Sequence, residues 1–78
     1  MPTVLKIGNM RFFFFSREET RVHIHIICPE GEAKFWIEPT VELAVNCGLS
    51  AQKLSEIAKI VKEHEDEFKR AWKQFFGD

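Results

Sequence analysis

His23 and His25 stand two apart in the run Val-His-Ile-His-Ile, so in an extended strand both imidazoles leave the same face about 7 Å apart. That spacing suits two chemistries: a shared metal ion, or acid–base work in which one ring takes a proton while the other gives one. Arg11 and Lys34 add cationic groups able to stabilise the charge that builds on a phosphate during RNA cleavage. A metal would need at least a third ligand. The nearest donor is Glu38, while Cys28 falls on the opposite strand face and His64 on a helix, so neither metal nor cofactor is expected. A plainer arrangement makes the two histidines cross-strand partners, His23 with Glu38 and His25 stacked on Trp36, within a protein contact.

The elements that must position these residues follow from the pattern. Val4–Ile7 and Met10–Ser16 are β-branched or aromatic and meet at Gly8-Asn9, a pair suited to a two-residue hairpin turn. Arg17–Thr20 reads as a polar loop. Val22–Cys28 and Ala33–Glu38 make a second hairpin, with Glu30-Gly31 at its bend. That turn sets Ile26 opposite Phe35, Ile24 opposite Ile37, Cys28 opposite Ala33, Ile27 opposite Lys34, His25 opposite Trp36 and His23 opposite Glu38. A slip of one residue would mix the apolar and polar sets, so the pattern selects which residues share a face. After Pro39-Thr40, the alternation of Val41, Leu43 and Val45 suggests a short fifth strand over 41–46, with a single helical turn as the alternative.

From Ser50 the period lengthens. Leu54, Ile57, Val61, His64, Phe68, Ala71 and Phe75 fall on one helical stripe, widened by Ala58, Trp72 and Phe76. One long helix over about 50–76 is expected, capped by Ser50, stapled by Leu49 onto Leu54 and closed by Gly77. His64 sits at the boundary of the stripe, and the acidic cluster Glu63–Glu67 reads as a solvated face. The whole chain, 1–78, is then a single α+β domain: an antiparallel meander of four or five strands within 1–46, with one long C-terminal helix packed on one face.

The helix can cover only one of the two sheet faces. The first face, with Leu5, Ile7, Met10, Phe12 and Phe14, is apolar and takes the helix; Ile24, Ile26, Phe35 and Ile37 then meet Ile57, Val61 and Phe68. The second carries Lys6, Arg11, His23, His25, Lys34 and Glu38 among Val4, Phe13, Phe15 and Trp36. The run Phe12–Phe15 sends two rings to each face, so a second protomer, another protein, stacked bases or the 39–47 segment must cover Phe13 and Phe15. Length adds a second surplus. A straight helix over 51–76 extends about 39 Å, against ~20–23 Å for a strand of six or seven residues. Turns bearing Phe68, Trp72, Phe75 and Phe76 would overhang the sheet unless the helix crosses at an angle or kinks near His64.

Composition narrows the classes. The chain has 78 residues, 9.2 kDa, eight Phe, two Trp and no Tyr, with 45% hydrophobic and 29% charged residues, which suits one small folded domain rather than a disordered tail or a two-domain enzyme. Net charge is −1, so any basic surface is local and bulk charge does not drive nucleic-acid binding. No apolar run reaches the ~20 residues of a membrane span, no signal-peptide pattern opens the chain, and Cys28 and Cys47 form no Cys-x-x-Cys pair; a cytoplasmic protein without membrane contact is expected. There is no glycine-rich phosphate loop and no recognisable nucleophile motif.

The succession Val-Leu-Lys-Ile-Gly-Asn-Met-Arg-Phe-Phe-Phe-Phe-Ser, His23-Ile24-His25, the run Ala33–Pro39 and the ending Trp72, Phe75, Phe76 resembles the bacterial domain-of-unknown-function 4160 family over nearly the whole chain. Val22 departs from the proline that the family commonly has before its His-x-His strand, so a proline-stiffened loop is not carried over. The resemblance implies a small bacterial protein encoded beside a partner of the domain-of-unknown-function 2442 family, in pairs of toxin–antitoxin type. With it, the expected function is a protein-interaction module, homodimeric through the second sheet face, the helix end or both. An RNA-binding or RNA-cleaving toxin using His23, His25 and Arg11 is the alternative.

Overall fold

The computed structural model describes residues 3–15 and 20–77. Five strands come first, β1 (Thr3–Ile7), β2 (Met10–Phe13), β3 (His23–Cys28), β4 (Gly31–Trp36) and β5 (Glu42–Cys47), followed by α1 (Ala51–Glu63) and α2 (Glu65–Phe76). The strands pair antiparallel in chain order. The fold is therefore α+β, and the segment expected at 41–46 as a strand or a helical turn is a strand, over Glu42–Cys47. β2 stops at Phe13, short of the expected Ser16; Ser16 itself and residues 17–19 of the expected polar loop lie outside the described residues.

The first hairpin turns at Gly8-Asn9 as expected, with Ile7 opposite Met10 and Gly8 at a φ of 58°. A bulge between Thr3 and Leu5 shifts the end of β1, and Val4, expected on the second face, packs against the core.

The second hairpin differs from expectation by two residues. Its turn is Pro29-Glu30, and Ile26 faces Ala33, Ile24 faces Phe35, His25 faces Lys34 and His23 faces Trp36. Two local features select this turn over Glu30-Gly31. Pro29 presets the backbone of the first turn position. Gly31 is needed elsewhere: a side chain there would collide with the backbone carbonyl oxygen of Cys47, so this glycine serves the close approach of β4 to the end of β5. A shift of two preserves strand parity. Among the paired residues the faces remain as expected, and only the partners change.

The core lies between the first face and the helices. Met10, Phe12, Phe14, Ile24, Ile26, Phe35 and Ile37 meet Leu49, Ile57, Val61, Phe68 and Trp72, and Phe12 stacks on Phe68 at 5.9 Å. Ser50 caps α1 by accepting a hydrogen bond from the Lys53 backbone N–H at 3.1 Å. The turn before it is clasped by Asn46, whose side-chain amide donates to the Leu49 carbonyl and whose side-chain oxygen accepts from the Leu49 N–H, each at 3.0 Å.

The expected single helix is two. His64, at φ −108° and ψ 17°, leaves helical geometry, although its N–H still donates to the Ile60 carbonyl and its carbonyl accepts from Phe68 N–H. The acidic run gives a reason. Glu65, Asp66 and Glu67 occupy the first turn of α2, where the positive end of a helix dipole favours carboxylates; inside an unbroken helix they would gain nothing from it. The His64 ring also donates to Glu67 Oε1 at 2.8 Å. The longest dimension of the molecule, 34 Å, is below the ~39 Å of an unbroken helix. The interruption brings Phe68 and Trp72, expected in the overhang, into the core, and leaves Phe75 and Phe76 exposed.

Phe68→Ala should therefore lower unfolding free energy by about 3–5 kcal/mol, and exposed Phe75→Ala by under about 1 kcal/mol, in urea titrations; equal losses would contradict the placement of α2. Gly31→Ala should cost at least about 2 kcal/mol, since backbone must move to admit the methyl group. A neutral result would show that β4 and β5 do not approach so closely.

Candidate functional site

The four strand registers align side chains of the second face into rows running across the sheet. One row reads Lys6, Arg11, Ile27, Glu32 and Cys47 from β1 to β5; the next reads Phe13, His25, Lys34 and Val45 from β2 to β5; a third holds His23, Trp36 and Glu42. The helices pack on the other face and reach these rows at His23, through Trp72.

The two histidines have different surroundings. His23 is wholly buried, with ring centroids 5.7 Å from Trp36, 5.2 Å from His25 and 5.1 Å from Trp72. Its Nδ1–H donates to the Arg21 carbonyl at 2.7 Å. Trp72 belongs to the helical layer and also meets Phe14 edge-on at 5.3 Å, so its contact with His23 wraps the end of the sheet beyond β2. A ring so enclosed cannot meet a substrate. His25 is half-buried, stacked on Phe13 at 5.4 Å with Phe15 edge-on at 5.2 Å. The expected pairs, His23 with Glu38 and His25 with Trp36, do not form, since the two-residue shift brings Trp36 and Lys34 opposite instead.

Two aromatic rings of this face, Phe13 and Trp36, are roofed by cations. Arg11 lies 4.8 Å from the centre of Phe13 while its Nε donates to Thr3 Oγ1 at 2.7 Å. Arg21 and Lys34 lie 4.3 and 4.6 Å from the centre of Trp36, positions in which ring quadrupole and charge attract. Phe13 is thereby buried, contrary to the expectation that it stands bare, and Trp36 is half-buried. Arg21 also donates from Nε to the Glu38 carbonyl at 2.7 Å and pairs through Nη2 with Glu42 Oε1 at 3.2 Å. It ties the start of β3 to the end of β4 and the start of β5. The sequence reading missed Arg21, although strand parity places 21 with 23 and 25.

Glu38 is not on the second face. It lies past the end of β4, lining a groove of ≈ 540 Å³ with Thr20, Arg21, Val22, Pro39 and Lys69. Lys69 is held above its ordinary pKa, chiefly by its hydrogen bond to Glu65 and further by the charges of Glu65, Glu38 and Asp66.

What remains accessible is apolar at its centre. Phe15, Ile27 and Val45 are 44%, 39% and 48% exposed, and Phe15, His25, Glu32, Lys34, Val45 and Cys47 line an open groove of ≈ 250 Å³ together with Ala33. Ile27, Val45 and Cys47 were also missed as site residues; Ile27 shares the parity of His25, while the β5 residues required knowledge of β4–β5 pairing. Among the described residues no three His, Cys, Asp or Glu side chains converge on a point where a metal ion would bind. The helix-end candidates divide: Phe68 and Trp72 are internal, whereas Phe75 and Phe76 stand in solvent beside a third groove of ≈ 340 Å³ between β1 and α2. No helix among the described residues is long and apolar enough to cross a membrane.

Comparison with curated proteins and with solved structures returns no match. Comparison with protein families does: residues 9–73 match the family described as Domain of unknown function (DUF4160), a span running from the first turn through β2–β5 and most of α2. It contains every residue from Arg11 to Cys47 of the second face, and the chain belongs to that family.

Proposed function

We propose that this chain is a small cytoplasmic protein-interaction module, one member of a toxin–antitoxin-like pair whose other member is a small protein of the domain-of-unknown-function 2442 family. The observation that carries the interaction reading is that two apolar surfaces stay exposed once the core is complete: Phe15, Ile27 and Val45 on the sheet, and Phe75 with Phe76 at the end of α2. Exposed large apolar groups gathered on a small domain mark protein contacts more often than any other use. Pairing within such an operon is inferred from family resemblance alone.

The geometry favours protein over RNA at the sheet. A single-strand platform offers open aromatic faces to stacked bases. Here Phe13 is buried under Arg11, and the Trp36 ring is already engaged by Arg21 and Lys34. The acid–base pair that RNA cleavage would need also loses one member, His23, to the interior.

Co-expression with the neighbouring small protein should yield a complex on size-exclusion chromatography. At least one of two surface variants, Ile27→Asp/Val45→Asp or Phe75→Ser/Phe76→Ser, should lose that complex while keeping wild-type thermal unfolding, because all four side chains are exposed. Retention of the complex by both variants would overturn the assignment of these surfaces. Growth arrest by the chain alone that disappears in a folded His25→Ala variant would favour the RNA-cleaving alternative.

A further inference from the structure

β1 is an edge strand, since the sheet order places only β2 beside it. Ile7 and Met10 flank the two-residue turn as its hydrogen-bonded pair, so the alternation of the ladder turns the backbone N–H and C=O of Lys6 away from β2. Outward-facing backbone groups of this kind are a template for another extended chain. On the helix side of the same edge lies the groove of ≈ 340 Å³, bounded by Thr3 and Val4 on β1, by Phe14, and by Ala71, Gln74 and Phe75 on α2. The β1 bulge helps to build it, because Val4 and Leu5, neighbours in sequence, both pack toward the core side.

The banks of this groove are cationic. Lys6 is exposed on the second-face side of the edge. Arg70, also exposed, lies one helical turn before Gln74 and so borders the helix bank. Neither Lys6 nor Arg70 has an ion pair among the described residues. No acid lines the groove, and the acid on the same flank of α2, Glu67, is held by the His64 ring at 2.8 Å.

We propose that this edge and groove bind an extended segment of a partner protein in which apolar and acidic residues alternate. Laid along β1 as a further strand, the segment exchanges backbone hydrogen bonds with Lys6 while its side chains point to the two faces in turn. Those on the first face enter the groove against Val4, Ala71 and Phe75, and those on the second stand beside Lys6. The period of two in the segment thus matches the division between an apolar floor and a cationic edge. A second copy of this chain fits poorly. The regular part of β1, residues 5–7, is centred on Lys6, so antiparallel pairing with another β1 sets Lys6 against Lys6, two like charges directly opposed. A lysine in the middle of an edge turns away its own copy and favours an acidic strand. The inference rests on the reading of the α2 end as an interaction surface and names the chemistry of what binds there. With one groove and few backbone bonds, a short peptide should bind with a Kd on the order of 100 µM.

The probe is a short synthetic peptide of alternating Glu and Leu, with an alternating Lys and Leu peptide as control, titrated at low salt into the isotope-labelled full chain. By nuclear magnetic resonance the Glu–Leu peptide should shift the backbone signals of residues 3–7 and 71–75. At about ten times its Kd it should also slow hydrogen exchange of the Lys6 amide ~10-fold. The Lys–Leu peptide should bind at least ~10-fold more weakly. The variant Lys6→Glu/Arg70→Glu changes two exposed side chains, and with wild-type thermal unfolding it should reverse the preference between the peptides. If that variant fails to fold, Arg70→Glu alone carries the test and should narrow the preference at least ~3-fold. Absence of binding, equal binding of the two peptides, or an unchanged preference in the folded variant would overturn the proposal. So would shifts on α2 without protection of the Lys6 amide, the result expected of a helical occupant. A partner complex that forms although the Glu–Leu peptide does not bind overturns this inference and leaves the interaction-module reading standing; peptide binding without any complex with the neighbouring protein supports the groove and overturns that pairing.

Discussion

A sheet has two faces, and this chain has helix enough for one. That constraint governs the rest of the structure. Strand periodicity sends alternate residues of β2, β3 and β4 away from the helices, and the residues so placed are rings and cations rather than a uniformly polar set. With no second layer available, the rings are finished by neighbouring side chains: Arg11 on Phe13, Arg21 and Lys34 on Trp36. His23 is the one second-face ring fully enclosed, because Trp72 reaches it round the end of the sheet. The helical layer thus covers the first face and clamps the end of the second, leaving Ile27, Val45 and Phe15 in solvent.

The fold was legible wherever a repeating pattern had to be satisfied as a whole. Alternation placed Ile24, Ile26, Phe35 and Ile37 on the core face, and the longer period placed Ile57, Val61 and Phe68 against them; all are buried. Punctuation was harder. Glu30-Gly31 looks like a hairpin turn, but Gly31 meets a demand from β5, a strand distant in sequence, and the turn moves to Pro29-Glu30. The helix break at His64 was hidden because every apolar position on either side keeps the stripe. Only the crowding of carboxylates from Glu63 to Glu67 marks the place, and such a cluster suits a solvated face and a fresh helix start equally well.

The departure at Val22 becomes understandable from its backbone. The Ile37 N–H donates to the Val22 carbonyl at 2.9 Å, a bond that uses the carbonyl and that proline would supply as well. Position 22 therefore joins β3 to the end of β4 whichever of the two residues occupies it. The adjacent Arg21 is the residue on which local geometry converges, with its carbonyl holding His23 and its guanidinium holding Glu38, Glu42 and Trp36.

The candidate site was legible only in part, and the missing part has one physical cause. Which face a residue occupies depends on the register modulo two, and the hydrophobic pattern enforces that parity strongly. Which residues stand side by side depends on the full register, and turn geometry and distant contacts settle it. Parity was enough to collect Arg11, His25, Lys34 and Trp36 on one face. It was not enough to tell that Trp36, rather than Glu38, stands opposite His23, nor that Arg11 and Glu32 flank Ile27 at equal distance on either side. A shift of two residues leaves the core almost unchanged while exchanging every neighbour on the outer face. The chemistry of an open sheet face is therefore a property of its rows, and the rows are fixed by the same turn and the same glycine contact that place β4 between β3 and β5.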